Sequence, residues 1–124
     1  MMDSDHCGST ACVAIVRKEQ NHTVLYIANT GDTRAVLSKN GQAHRLSVDH
    51  KATDPAEVQR IKLAGGTVSK DRVAGGLAIT RAIGDHAYKS FGVTGHPYVV
   101  RHVLKPFDKH LIIASDGVWD TVND

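Results

Sequence analysis

The chain has 124 residues, 41% of them hydrophobic and 23% charged, a balance that excludes a disordered chain and fits one globular domain. The formal charge is only +2, and Lys and Arg are scattered without a basic run, so composition argues against a nucleic-acid partner. No apolar segment approaches the roughly 20 residues that cross a bilayer, and Met1–Asp5 lacks the basic and apolar regions of a secretory signal. Cys7 and Cys12 lie too close together to build a disulfide framework, and the eight His residues form no Cys/His cluster at zinc spacing. The expected compartment is the cytoplasm or nucleus.

Residues 10–17, 23–29, 33–38 and 42–46 read as four strands rich in β-branched and small apolar residues. Asn40-Gly41 is a strong hairpin signal. Together these strands predict one antiparallel meander over residues 10–46, apolar on both faces. A helix is expected from Asp54, with Asp54 as N-cap, Pro55 in the first turn and Glu57 closing a capping box. Val58, Ile61 and Ala64 form its apolar stripe, and Gly65-Gly66 ends it. Short strand-like pieces follow at 67–69 and 77–80, then a helical turn within 82–90 and a Gly-rich loop at 92–96. A strand is expected at 97–104. A last strand, 111–115, reads as buried and runs into Asp116-Gly117 and a final helical turn. The order of strands, helix and strands predicts an α+β fold with mainly antiparallel sheet. The chain enters a strand almost at once and stops inside a helical pattern, so a fragment of a larger domain is expected.

Asp32, Asp85 and Asp116 each sit beside a glycine at a sharp reversal, and Asp32 and Asp116 follow apolar strands. Acids at strand ends can converge where sheets pack, and such a group suits Mg²⁺ or Mn²⁺. For each acid alone, a hydrogen-bonded turn is the competing reading. His50 is a candidate general acid, set against a loop histidine bonded to backbone. Neither GxGxxG, GxxxxGK[ST] nor a Gly-x-Ser-x-Gly elbow occurs, which removes phosphate-loop and serine-nucleophile chemistry.

A set of motifs occurs in order along the chain. They are Gly8-Ser9-Thr10-Ala11, Ala28-Asn29-Thr30-Gly31-Asp32-Thr33-Arg34-Ala35, Leu46-Ser47-Val48-Asp49-His50-Lys51, and Glu57 with Arg60-Ile61 and Ala64-Gly65-Gly66. Arg72-Val73, Leu77-Ala78-Ile79-Thr80-Arg81-Ala82-Ile83-Gly84-Asp85 and Ala114-Ser115-Asp116-Gly117-Val118-Trp119-Asp120 complete it. In this order they resemble the metal-dependent serine/threonine protein phosphatases of type 2C, over Gly8 to Asp124. The resemblance implies part of a four-layer α-β-β-α sandwich, with helices on both outer faces of two antiparallel sheets. Residues 1–124 would be the central part of that single domain, truncated at both ends. It implies a centre of two Mg²⁺ or Mn²⁺ ions whose activated water hydrolyses phosphoserine or phosphothreonine. By the same resemblance Asp116 is similar to the aspartate that ligates this centre. Asp32 and Asp120 look like the acids that join it at a third metal position in some members. The segment from about Val68 to Asp85 looks like the flap beside the site.

The departures also matter. The family's phosphate-binding Arg, an acid beside it and its Asp-Gly-His ligand segment fall before this stretch, and its late Asp-Asn segment falls after it. Asp5-His6-Cys7 abuts Gly8-Ser9 and is not that Asp-Gly-His. Thr33 stands where Ser is usual, Ala52 where Pro is common, and the flap has no Trp. Two functions follow: the central part of an active phosphatase with a phosphoprotein substrate, or a phosphatase-like binding or regulatory module without catalysis. Strand edges left open by truncation imply self-association.

Overall fold

A computed structural model describes residues 5–124. The reading of the first residues as lacking a signal falls largely on residues 1–4, which lie outside the described residues. The elements run β1 (Gly8–Ser9), β2 (Ala11–Glu19), β3 (His22–Thr30), β4 (Arg34–Lys39), β5 (Gln42–Arg45), α1 (Pro55–Leu63), β6 (Val68–Ser69), β7 (Arg72–Val73) and β8 (Ile83–Gly84). A 3-10 turn (His86–Phe91), β9 (Tyr98–Val103), β10 (Asp108–Ala114) and α2 (Asp116–Trp119) complete the chain. The architecture is α+β with antiparallel sheets, as the sequence implies. None of these helices is long and apolar enough to cross a membrane.

The expected single meander is instead divided between two sheets. One sheet has the order β2-β3-β9 and the other β10-β4-β5. The first hairpin pairs Ala11 with Thr30 through Glu19 with His22, and the second pairs Val36 with Arg45 through Lys39 with Gln42. Gly31-Asp32-Thr33 is therefore a crossover between sheets and not a hairpin turn. Leu25 and Ile27 of β3 meet Ala35 and Leu37 of β4, with Leu46, in one buried cluster. Their two-residue spacing puts them on the inner faces, and each large side chain buried contributes about 1.5–3 kcal/mol.

The crossover depends on glycine. Gly31 has φ +98°, and a Cβ there would lie 2.3 Å from Thr10 Cγ2. The turn thus needs a left-handed backbone and close approach to the neighbouring chain, which only glycine combines.

Helix α1 starts as expected. Asp54 Oδ1 accepts from the Ala56 amide at 2.9 Å, and Pro55 occupies the first turn. Its interior differs from the expectation. Only Ile61 of the apolar stripe is buried, while Val58 is half-buried and Ala64 is exposed. Ile61 packs with Ala52, Val73, Ala82 and Val93 in a second core. Glu57 does not close a capping box. It is buried, and its carboxylate takes Arg60 Nη2 at 2.9 Å, Arg81 Nη2 at 2.7 Å and Thr80 Oγ1 at 2.6 Å. A tertiary ion-pair site outcompetes a local cap here because it satisfies the carboxylate several times over.

The later elements depart in detail. Residues 77–80 form isolated bridges, Leu77 to Val73 and Ile79 to Lys51, and not a strand. The last strand begins at Asp108, and it is not buried: it is an edge strand with Ile112 53% exposed. The outer face of the other sheet is equally open, with Val13, Ile15 and Val99 more than half exposed. Among the described residues only the short α2, through Trp119, lies against an outer face, that of the β10-β4-β5 sheet. The sheets thus supply the two inner layers of the expected four.

The Glu57 cluster makes the second core sensitive to acid. Burial opposes the charge, but bonds from Arg81, Arg60 and Thr80 outweigh it and hold the carboxyl well below the usual carboxylate range. A depressed folded value means that this stabilisation is complete above about pH 5 and is lost as pH falls through and below the ordinary carboxyl value of about 4.3. Glu57→Gln should cost about 3 kcal/mol in urea unfolding at pH 7. The gap to the unsubstituted protein should narrow at pH 3, and a gap that stays constant contradicts the assignment.

Candidate metal centre

One end of the sandwich gathers the chemistry. There β3 ends at Thr30, β4 begins at Arg34 and β10 ends at Ala114, so Asp32 on the crossover and Asp116 beyond β10 flank the same end of the β4–β10 pair. The β1–β8 pair, Gly8 with Gly84 and Ser9 with Ile83, brings Asp85 to the same place. Asp32, Asp85 and Asp116 line one cleft of about 430 Å³, together with His6, Ser9 and Arg72. The expected convergence of these three acids is therefore present in the geometry.

Each acid is held differently. Asp85 is buried with φ 50°, and its amide donates to the Cys7 carbonyl at 2.8 Å. A Cβ on Gly8 would lie 2.2 Å from Asp85 Cγ, which explains a glycine opposite this acid. Asp116 is the first residue of α2 and is exposed to the cleft, with Ser115 at the N-cap. Asp32 is buried. Burial and then the charge of Asp116 raise its carboxyl above the usual value, Asp49 adds to this, and Lys51 opposes it. Lys51 Nζ stands 3.8 Å from Asp32 Oδ2 and 3.3 Å from Asp120 Oδ1, so Asp120 joins the group through the ammonium.

A buried carboxylate whose proton affinity is raised beside a second acid has the chemistry a hard divalent cation answers. The two acids are nevertheless an incomplete donor set. Among the described residues, no group of three His, Cys, Asp or Glu side chains is arranged to hold a metal ion. The expected two-ion centre therefore does not fit these residues alone.

His50 serves the backbone. It is buried, with Nδ1 3.2 Å from the Gly31 amide and 3.1 Å from the Gly31 carbonyl, and its own amide donates to that carbonyl at 3.0 Å. Burial, then the charge of Arg81, lowers its proton affinity, so the ring is neutral near pH 7 and fixes the crossover beside Asp32. The residues that sequence reasoning did not single out are the cations. Lys51, Arg34 and Arg72 sit inside quoted motifs, but nothing in spacing alone tells an acid's partner from a solvated surface charge.

Part of the segment likened to a flap lines the same cleft. Arg72, Gly76, Leu77, Ala78 and Ile79 form one wall of the cleft, and β6 pairs with β7 as a short hairpin at its base. Removing the Lys51 charge by Lys51→Met should raise the Asp32 carboxyl further, read as a ¹³C carboxyl titration by NMR. An unchanged or lowered Asp32 titration would show that Lys51 does not face this acid in solution.

Comparison with known proteins places this geometry. A family model described as Protein phosphatase 2C matches residues 1–124. The chain is 46% identical to Protein phosphatase 2C homolog 1 of Schizosaccharomyces pombe, over 98% of this chain and 35% of that protein. It is 42% identical to Protein phosphatase 2C homolog 1 of Saccharomyces cerevisiae, over 94% of this chain and 46% of that protein. A solved serine-threonine phosphatase 2C from Toxoplasma gondii superposes with a TM-score of 0.81 at 26% identity, over 96% of this chain and 44% of that one. The chain thus spans less than half the length of these relatives.

Proposed function

The chain belongs to the protein phosphatase 2C family, and we propose that it is the central part of a domain that hydrolyses phosphoserine and phosphothreonine in proteins. The observation that supports this most is the meeting of Asp32, on the crossover between the sheets, and Asp116, beyond the end of β10, in one cleft walled by the flap-like segment. In the complete domain Asp32 and Asp116 would hold part of a Mg²⁺ or Mn²⁺ site, and such an ion would lower the proton affinity of a coordinated water.

The chain's own residues have separable roles in this reading. Asp32 and Asp116 contribute carboxylate oxygens to the cation position. Asp120 contributes at its margin, where Lys51 now pairs with it. Arg72 brings positive charge to the cleft wall, which suits a phosphoryl dianion. The neutral His50 ring holds the Gly31 turn and moves no proton. The proposed substrate is a phosphoprotein, and the proposed compartment is the cytoplasm or nucleus, on cysteine usage.

A second reading, a phosphatase-like module without catalysis, is favoured by one observation: the described residues hold no complete metal donor set. One assay separates the two. A protein extended to the length of the relatives should release phosphate from a phosphothreonine peptide with Mn²⁺ and stop when chelator is added. In that protein Asp116→Ala should lower turnover more than about 100-fold with little change in circular dichroism. Turnover that survives chelation, or is missing despite tight Mn²⁺ binding, overturns the hydrolytic reading.

The open faces and edges of both sheets also support a proposal that this chain associates with itself or with a complementary fragment. Light scattering should give a mass above that of one chain, and a compact monomer contradicts it.

A further inference from the structure

Arg34 stands two residues after Asp32, at the start of β4, where it pairs with Ala114 at the end of β10. Its side chain is mostly buried, and three side chains, Asp49, Trp119 and Asp124, meet it. Nε reaches Asp49 Oδ1 at 3.2 Å and Nη2 reaches Asp49 Oδ2 at 2.6 Å, a two-pronged bond to the loop that carries His50 and Lys51. Nη1 reaches Asp124 Oδ1 at 2.5 Å, and Arg45 Nε takes the other oxygen of that carboxylate at 2.6 Å. The guanidinium carbon lies 5.3 Å from the centre of the Trp119 ring.

Trp119 is itself fixed. Its indole N–H donates to the Ala114 carbonyl at 2.8 Å, so the ring folds back over the β4–β10 pair. Helix α2 is a single short turn, closed by the Asp120 amide on the Asp116 carbonyl at 2.8 Å and the Val122 amide on the Val118 carbonyl at 2.9 Å. A helix this short does not hold its own orientation in water. It is placed by what it packs against, and α2 carries Asp116 at its start and Asp120 at its C-cap.

We propose that Arg34 is a positioning residue for the acidic cleft: gripped by Asp49 and stacked on Trp119, it locks α2 so that Asp116 stands beside Asp32. One planar cation thus ties together the crossover that carries Asp32, the loop that carries Lys51 and the turn that carries Asp116. The use made of those acids rests on the phosphatase reading, but the locking of α2 does not. Lysine would keep the charge and lose both the fork and the flat face that stacks.

The test compares Arg34→Lys with Arg101→Lys, which makes the same exchange at a guanidinium bonded to Glu19 at 2.7 Å on the sheet and away from the cleft. Amide and indole hydrogen exchange by NMR, Mn²⁺ affinity by loss of the free-ion EPR signal, and melting midpoints are read on the same samples. Arg34→Lys should speed exchange of the Trp119 indole and the amides of Val118–Val122 about tenfold and weaken Mn²⁺ binding about tenfold. It should melt close to Arg101→Lys, whose exchange at α2 and Mn²⁺ affinity should match the unsubstituted protein. Equal behaviour of the two variants overturns the proposal, as does faster exchange at α2 with unchanged Mn²⁺ affinity. If the unsubstituted protein takes up no Mn²⁺, the metal-centre reading fails, and exchange at α2 alone decides the role of Arg34. Should Arg34→Lys fail to fold, Asp49→Asn, which weakens the grip and keeps the guanidinium, is read by the same criteria.

Discussion

A buried carboxylate holds the cleft half of this protein together. Glu57 is 5% exposed, and a charge so placed is tolerable only when its oxygens are fully bonded. Arg60, Arg81 and Thr80 provide those bonds. The same arginines then reach outward, Arg60 to the carbonyls of Gly92 and Thr80 and Arg81 to that of His96. From Thr80 the connection runs on: its amide donates to the His50 carbonyl, and the His50 amide donates to the Gly31 carbonyl. Asp32 is the next residue. A helix, the cleft wall and the crossover between sheets are thus joined by one set of bonds to buried polar groups, and loss of the Glu57 charge would leave two guanidinium groups without their shared partner.

The cleft places like charges together on a scaffold stiff enough to hold them. Asp32 is anchored by a left-handed glycine turn, and Asp116 rides on a short helix that Arg34 and Trp119 hold down. Lys51 offsets part of the repulsion between the acids. Burial and the neighbouring Asp116 charge together raise the Asp32 carboxyl above its usual value.

Much of this was legible in the sequence, for specific reasons. The strands of residues 10–46 show in their β-branched composition, and α1 shows in Asp54, Pro55 and Gly65-Gly66, because those signals are local. The division of the meander between two sheets was not legible, since a crossover at Gly31-Asp32 and a hairpin turn draw on the same residues. Glu57 carried a local capping signal that long-range partners overrode. The strand before Asp116 read as buried because four apolar residues run together. Its exposure here reflects that what would cover an edge strand cannot be read from the strand itself. The acids of the cleft were visible as Asp beside Gly at reversals. Their cationic partners, Lys51 and Arg34, were invisible as partners because only the fold brings residues 34, 49, 119 and 124 together.

The claim at the centre of this account is that Asp32, on the crossover, and Asp116, beyond the end of β10, share one cation-binding cleft. Paramagnetic broadening by Mn²⁺ in the ¹H–¹⁵N spectrum of the protein tests it most directly, because it maps the ion without requiring turnover. Broadening should fall first on Gly31–Thr33, Asp116–Asp120 and the β1–β8 pair, and leave the far end of the sandwich, around His102 and Asp108, sharp. Broadening that centres on His102 and Asp108, or spreads evenly over the surface histidines, would contradict it.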